Sequence, residues 1–260
     1  MHVGQDCILG KEISYTNPTS PTEMDRRSSG IEVRKHLSRR SHGFFKANGN
    51  PSEALRLLQE AEKGRIPKLL HIKHQKMATS SFAFFRGAVP IMAADLAAHS
   101  NSGIEVQICG DAHVLNLGAY ASFEGGLVFD INDFDETMRA PFEWDLKRLA
   151  TSLLLAGRSV GIERSYRESA VERFTRRYRE SMHAFPRMPM LELVRYQIHR
   201  MRSSPPIKSI LNAAERSTPL RLLQKLTEEV NGVRRFKSSP PILERACATH
   251  SEAHSRSCRL

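Results

Sequence analysis

Residues 104–111, IEVQICGD, run into the polar loop AHVLN (112–116) and are followed, after Gly125-Gly126, by LVFDINDFDE (127–136). Ile104, Val106 and Ile108 alternate with Glu105 and Gln107, the period of a strand with one buried face. LVFDIND (127–133) reads as a second strand, and the glycine pair marks a turn before it. The expectation is an antiparallel hairpin of these two strands with a long loop at one end. Asp111, His113 and Asn116 sit on that loop, and Asp130, Asp133, Asp135 and Glu136 at the end of the second strand, so several carboxylates should converge.

Converging carboxylates raise each other's cost of ionising, and a divalent cation removes the conflict. Mg²⁺ suits this composition: it takes oxygen ligands, one or two protein carboxylates, and completes its shell with water and phosphate oxygens. Asn116 adds an oxygen without adding charge. The loop lacks the Cys and His density of a zinc site. In phosphoryl-transfer enzymes an Asp accepts the acceptor hydroxyl's proton and an Asn five residues later binds metal, with a further metal-binding Asp beyond. Asp111 and Asn116 have that five-residue step, and Asp133 stands at the later position in Asp133-Phe134-Asp135. Asp111 and His113 are therefore the candidate catalytic residues, and Asn116 and Asp133 the candidate metal ligands, with Asp130 competing. His113 is a ligand or a brace for the loop.

Working outward, Asn50-Pro51 with Glu53 reads as a capped helix start and Gly64 as its end. AVPIMAADLAA (88–98) reads as a second helix, preceded by the aromatic patch SSFAFFRG, whose Arg86 either reaches a phosphate or makes a structural salt bridge. Pro141 opens FEWDLKRLATSLLLAG, with Leu146, Leu149, Ala150, Leu153 and Leu154 as its buried stripe and Gly157 as its stop. Asp145 is expected to cap or brace that helix near the loop, and Cys109 to be a small buried residue. Residues 162–182 repeat an apolar position every four residues, and shorter helices are expected at 189–201 and 219–230.

Lys and Arg outnumber Asp and Glu by 39 to 28, a surplus that favours anionic partners without choosing among them. The four cysteines form no CxxC pair, which argues against a disulfide framework and for a reducing cytoplasm. No apolar run of roughly eighteen residues is present, so no membrane partner is expected. Residues 1–48 read as a disordered basic arm, 49–246 as one domain and 247–260 as a disordered tail.

Four segments carry a resemblance: SSFAFFRGAVPIMAADLA (80–97), QICGDAHVLNLGAY (107–120), FDINDFDETMRAPFEWDLKRLATSLLLAGR (129–158) and KLTEEVNGVRRFKSSPPIL (225–243). They resemble the bacterial family called domain of unknown function 2252, over roughly residues 50–245. That family is grouped with the protein-kinase-like fold of aminoglycoside and choline phosphotransferases. The resemblance implies an α+β fold, mostly a helical kinase-like C-lobe with a small β-hairpin carrying the catalytic loop. It also implies Asp111 as base, Asn116 and Asp133 on Mg²⁺, ATP as cofactor and an unknown hydroxyl acceptor. Gly110, Asp111, His113 and Asn116 match the loop pattern, Cys109 departs from its first His, and Asp145 matches the helix aspartate.

One departure is expected to matter. A kinase also uses a glycine-rich loop and a strand lysine on the phosphates, and neither is found here. In the resembling family the corresponding segment lies downstream, so the chain is expected to be C-terminally truncated, with an incomplete ATP-binding lobe. The functional expectation is an ATP- and Mg²⁺-dependent phosphotransferase, or an inactive truncated relative. A metal-dependent phosphoesterase is the alternative, suggested by Gly-Asp-x-His. A non-enzymatic basic binding module ranks last, and nucleic acid is not expected as a partner, since no stacking or groove-reading motif is present.

Overall fold

A computed structural model of the chain describes residues 23–46, 50–122, 125–196, 205–216 and 219–238, and the fold is α+β with short antiparallel sheets. Among the described residues five α-helices precede the first strand: α1 (Glu23–His36), α2 (Pro51–Ala61), α3 (Pro67–Met77), α4 (Ser81–Gly87) and α5 (Val89–Ala97). Four strands follow: β1 (Glu105–Ile108), β2 (Leu117–Ala121), β3 (Leu127–Ile131) and β4 (Met138–Pro141). Then come α6 (Glu143–Ser159), α7 (Arg164–Ala184), α8 (Met190–Val194), α9 (Pro205–Glu215), α10 (Pro219–Leu226) and the hairpin β5 (Thr227–Val230) and β6 (Val233–Phe236).

The strand pairing differs from the expected hairpin. β2 pairs with β3 (Leu117 opposite Ile131, Ala121 opposite Leu127), while β1 pairs with β4 (Glu105 opposite Pro141, Ile108 opposite Met138). The two pairs are nested in sequence, the inner hairpin lying between the outer strands. Pairing β3 with its nearest neighbour closes a short connection, which has a lower loop-closure cost than reaching back to β1. The loop Cys109–Asn116 and the segment Asn132–Thr137 are consequently the two links between inner and outer pairs. The backbone N–H of Asn132 donates to Asn116 O at 3.0 Å, tying the links together. Of the apolar positions in the first strand only Ile108 is buried; Ile104 and Val106 stay largely exposed, so the expected buried face is partial.

Local chemistry sets several helix ends. The Asn50 side chain accepts from Ser52 N and Pro51 takes the first position of α2, as expected. Glu53 does not complete a capping box; its carboxylate is drawn to Arg56 instead. Ser80 caps α4, so the aromatic patch is helical. Pro141 ends β4, and α6 begins two residues later. Gly157 does not stop that helix, which continues to Ser159. A Cβ at Gly157 would lie 2.8 Å from Arg167 Cγ, so the glycine lets α7 approach α6 closely.

Part of the segment read as a disordered arm is the helix α1, and Leu37 just after it is buried. The expected tail at 247–260 lies outside the described residues. So does part of the helix expected at 189–201, of which Met190–Val194 is helical. The span 219–230 is helix only to Leu226 and then becomes β5, which turns into β6 through Asn231-Gly232, both at positive φ. Among the described residues no helix is long and apolar enough to cross a membrane.

Candidate functional site

The loop 109–116 is held from below by one face of α6. Asp145 takes both N–H groups at the loop's start: Cys109 N donates to Oδ2 at 2.8 Å and Gly110 N to Oδ1 at 3.1 Å. Arg148 takes the carboxylate that follows, donating from Nε (2.8 Å) and Nη2 (2.5 Å) to Asp111 Oδ1. The Ser152 hydroxyl accepts from Val114 N at 3.2 Å and donates to Leu149 O at 2.7 Å. Steps of three and four residues place 145, 148 and 152 on one helical stripe. This corrects the expected apolar stripe. The buried residues of α6 are Glu143, Arg148, Ser152 and Gly157, while the leucines beside them are half-buried. Buried polar groups of this kind are tolerated because each finds its hydrogen-bond partners.

Gly110 makes the turn possible. Its φ is +79°, and a Cβ there would sit 2.0 Å from Glu136 O, so no side chain fits. Burial first, and the Asp145 carboxylate second, push the Cys109 thiol up to about 12. That thiol is a poor nucleophile at neutral pH.

His113 is 3% exposed. Its Nδ1 lies 3.1 Å from the N–H of Asn116. Its Nε2 lies 3.5 Å from Asp111 Oδ2 and 3.4 Å from Arg86 Nε. Burial pushes the imidazole below its ordinary value; Arg86 and Arg148 act in the same direction, and Asp111 opposes them. Through its contact with Asn116 N, His113 braces the loop. The Asn116 amide nitrogen donates to Asp111 O at 2.9 Å, which fixes the orientation of the amide.

Five of the six residues singled out from sequence line one cleft of about 480 Å³: Arg86, Asp111, His113, Asn116 and Asp133. Asp130 is not among them. Its side chain is exposed and accepts from the N–H of Ile131 at 2.8 Å, because strand alternation turns it away from its neighbours in β3. The expected convergence of several carboxylates is therefore reduced to Asp111 and Asp133, and Asp135 and Glu136 do not line the cleft. Among the described residues no three His, Cys, Asp or Glu side chains form a metal-holding group. An all-protein cage of such side chains is not on offer among the described residues.

Sequence reasoning missed Arg148, Ser152 and the lysines Lys73 and Lys76, which also line the cleft from α3. The Asp145–Arg148–Ser152 spacing carried the signal for the first two. Nothing in the sequence of α3 pointed to the loop, because their meeting is a product of tertiary packing. Oδ1 of Asp111 is committed to Arg148, so Oδ2 is the oxygen left to accept a proton or hydrogen bond from a bound molecule.

No curated protein and no solved structure matches the chain. The protein family described as "Uncharacterized protein conserved in bacteria (DUF2252)" matches residues 65–259, and so extends through the segment read as a tail outside the resemblance. The match covers well over half of the sequence and includes every residue of the cleft, and the chain accordingly belongs to that family.

Proposed function

We propose that the cleft is a phosphoryl-transfer site, using ATP with Mg²⁺ and passing a phosphoryl group to a hydroxyl acceptor. The observation that carries this reading is the gathering of Asp111, Asn116, Asp133 and Arg86 around one cleft, with Asp111 and Asn116 on a loop braced by Asp145, Arg148 and Ser152. Phosphoryl transfer asks little covalent chemistry of a protein; it asks for positioning and charge stabilisation. The nested arrangement of β1–β4, with the loop and Asp133 on its two links, supports a kinase-like C-lobe. In this reading Asp111 Oδ2 accepts the acceptor's proton while Arg148 fixes the carboxylate through Oδ1. Asn116 Oδ1 and Asp133 hold the cation, and Arg86 contacts phosphate. A bound Mg²⁺ would neutralise charge on the phosphate oxygens.

The test is ATP consumption in the presence of a panel of small hydroxyl compounds, comparing the wild type with Asp111→Asn. Asn is preferred to Ala because it leaves Arg148 an oxygen to bond. The expected result is loss of turnover of about a hundredfold or more, with stabilisation by Mg²⁺ and ATP retained. Undiminished turnover removes Asp111 from the chemistry. Phosphate release from simple esters without ATP favours the phosphoesterase alternative.

A further inference from the structure

We infer that Lys73 and Lys76 of α3, together with Arg86 of α4, form a binding wall for a polyphosphate chain, supplying the clamp for which the sequence shows no glycine-rich loop or strand lysine. All three line the cleft. The inference rests on the phosphoryl-transfer reading for what happens in the cleft, but anion binding by the wall does not require that reading.

The charge arrangement carries it. Three cationic side chains share the cleft with two carboxylates; Asp111 is matched by the buried guanidinium of Arg148, and Lys73 by Glu62. Lys76 and Arg86 against Asp133 leave the cleft net positive before any metal enters, and a divalent cation on Asp133 and Asn116 would make it more so. Cationic donors spread over two helices suit an anion contacted at several points along its length. Lys73 is held in place: Glu62, 8% exposed, accepts from its Nζ at 2.8 Å and from His74 Nε2 at 2.9 Å. An ammonium has three donors, so one bond to Glu62 positions Lys73 and leaves two for the cleft. Among the described residues neither Lys76 nor Arg86 is ion-paired with a carboxylate. Leu69, Ile72 and Met77 supply an apolar lining that lowers the local dielectric and strengthens these charges.

The test is calorimetric titration of the full chain with inorganic tripolyphosphate in EDTA, with inorganic phosphate as a second probe. The wild type is expected to bind tripolyphosphate far more tightly than phosphate. Lys76→Gln should weaken binding by about tenfold, the loss of one charge-assisted contact, and Lys73→Gln/Lys76→Gln by more. Lys76 is exposed, so its single variant stays folded whatever the loss of Lys73 does to Glu62. The charge-matched control Arg176→Gln/Arg179→Gln on α7 should bind as the wild type does. Asp133→Asn, which removes a carboxylate from the cleft, should bind metal-free tripolyphosphate at least as tightly as the wild type while losing any Mg²⁺-dependent gain with ATP, which separates failure of the wall from failure of the transfer site. Equal binding by the wild type and Lys76→Gln, an equal loss in the α7 control, or phosphate binding as tightly as tripolyphosphate each overturns the proposal.

Discussion

The two sides of the cleft are built in opposite ways. The side formed by 109–116 is a backbone loop locked by buried polar contacts: Asp145 on two N–H groups, Arg148 on Asp111 and Ser152 on Val114. The side formed by α3 and α4 presents long cationic side chains whose heads reach solvent, Lys73 held by buried Glu62 and Arg86 touching buried His113. The loop side has little freedom to lose when a ligand binds, and preorganisation of that kind is what a reacting centre requires. The cationic side can adjust to the ligand at an entropic cost of a rotamer or two. Geometry is held on one side, and charge is offered on the other.

Breaking the loop side should be the most damaging change. Arg148→Met removes the partner of Asp111 and the guanidinium stacked on Phe85 at 4.4 Å. Loss of one member of a buried pair costs about 3–5 kcal/mol, so the urea midpoint should fall sharply, and a midpoint within error of the wild type would show that the pair does not organise the loop. Gly110→Ala combines a left-handed backbone with a collision at Glu136 O. It is expected to cost about 2–3 kcal/mol, read in the same titration, and a neutral effect would mean the loop can relax away from the Asn132–Thr137 link.

A smaller effect is expected from pH. His113 is buried with its imidazole held below the ordinary value of 6.5. Between that value and the lower folded one, the unfolded chain binds the extra proton. Stability should therefore fall as pH drops through the window, and should be unaffected by this group above it. His113→Gln, which keeps an acceptor for Asn116 N, should flatten the dependence; an unchanged slope would assign it to other groups. The smallest effect belongs to the cationic side. Lys76→Gln should change stability by no more than about 0.5 kcal/mol, as for exposed substitutions generally, whatever it does to anion binding. A larger loss would make Lys76 a structural residue and dissolve the contrast between the two sides.

Much of the loop was legible because its chemistry is local. Asp111, His113 and Asn116 are joined by short-range hydrogen bonds, and Asp133 follows one hairpin later, so spacing alone brought them together. The role of Asp145 was only half legible: a first-turn carboxylate was expected to cap or brace its own helix, whereas it accepts from Cys109 N and Gly110 N of the loop. Arg148 was hidden by its own neighbours. A helix with Leu146, Leu149 and Leu153 reads as burying its leucines, and only the demand of Asp111 for a partner reverses which residues turn inward. The nested strand order was hidden for a related reason: alternation identifies strands but not partners. The turn at Asn231-Gly232 was a readable hairpin signal that the helical reading of 219–230 overrode. The basic side of the cleft depends on where α3 packs, which no local pattern records.

The most direct test of the account is a thermal-shift titration with Mg²⁺ and ATP on the wild type and on Asp133→Asn. Ligand that binds only the folded state raises stability in proportion to the logarithm of its concentration, by about 2.7 kcal/mol at a hundred times its Kd. The account predicts a concentration-dependent rise for the wild type that needs both Mg²⁺ and ATP, and loss of the Mg²⁺-dependent part in the variant. A flat titration for the wild type, or an equal Mg²⁺-dependent rise in both proteins, contradicts it.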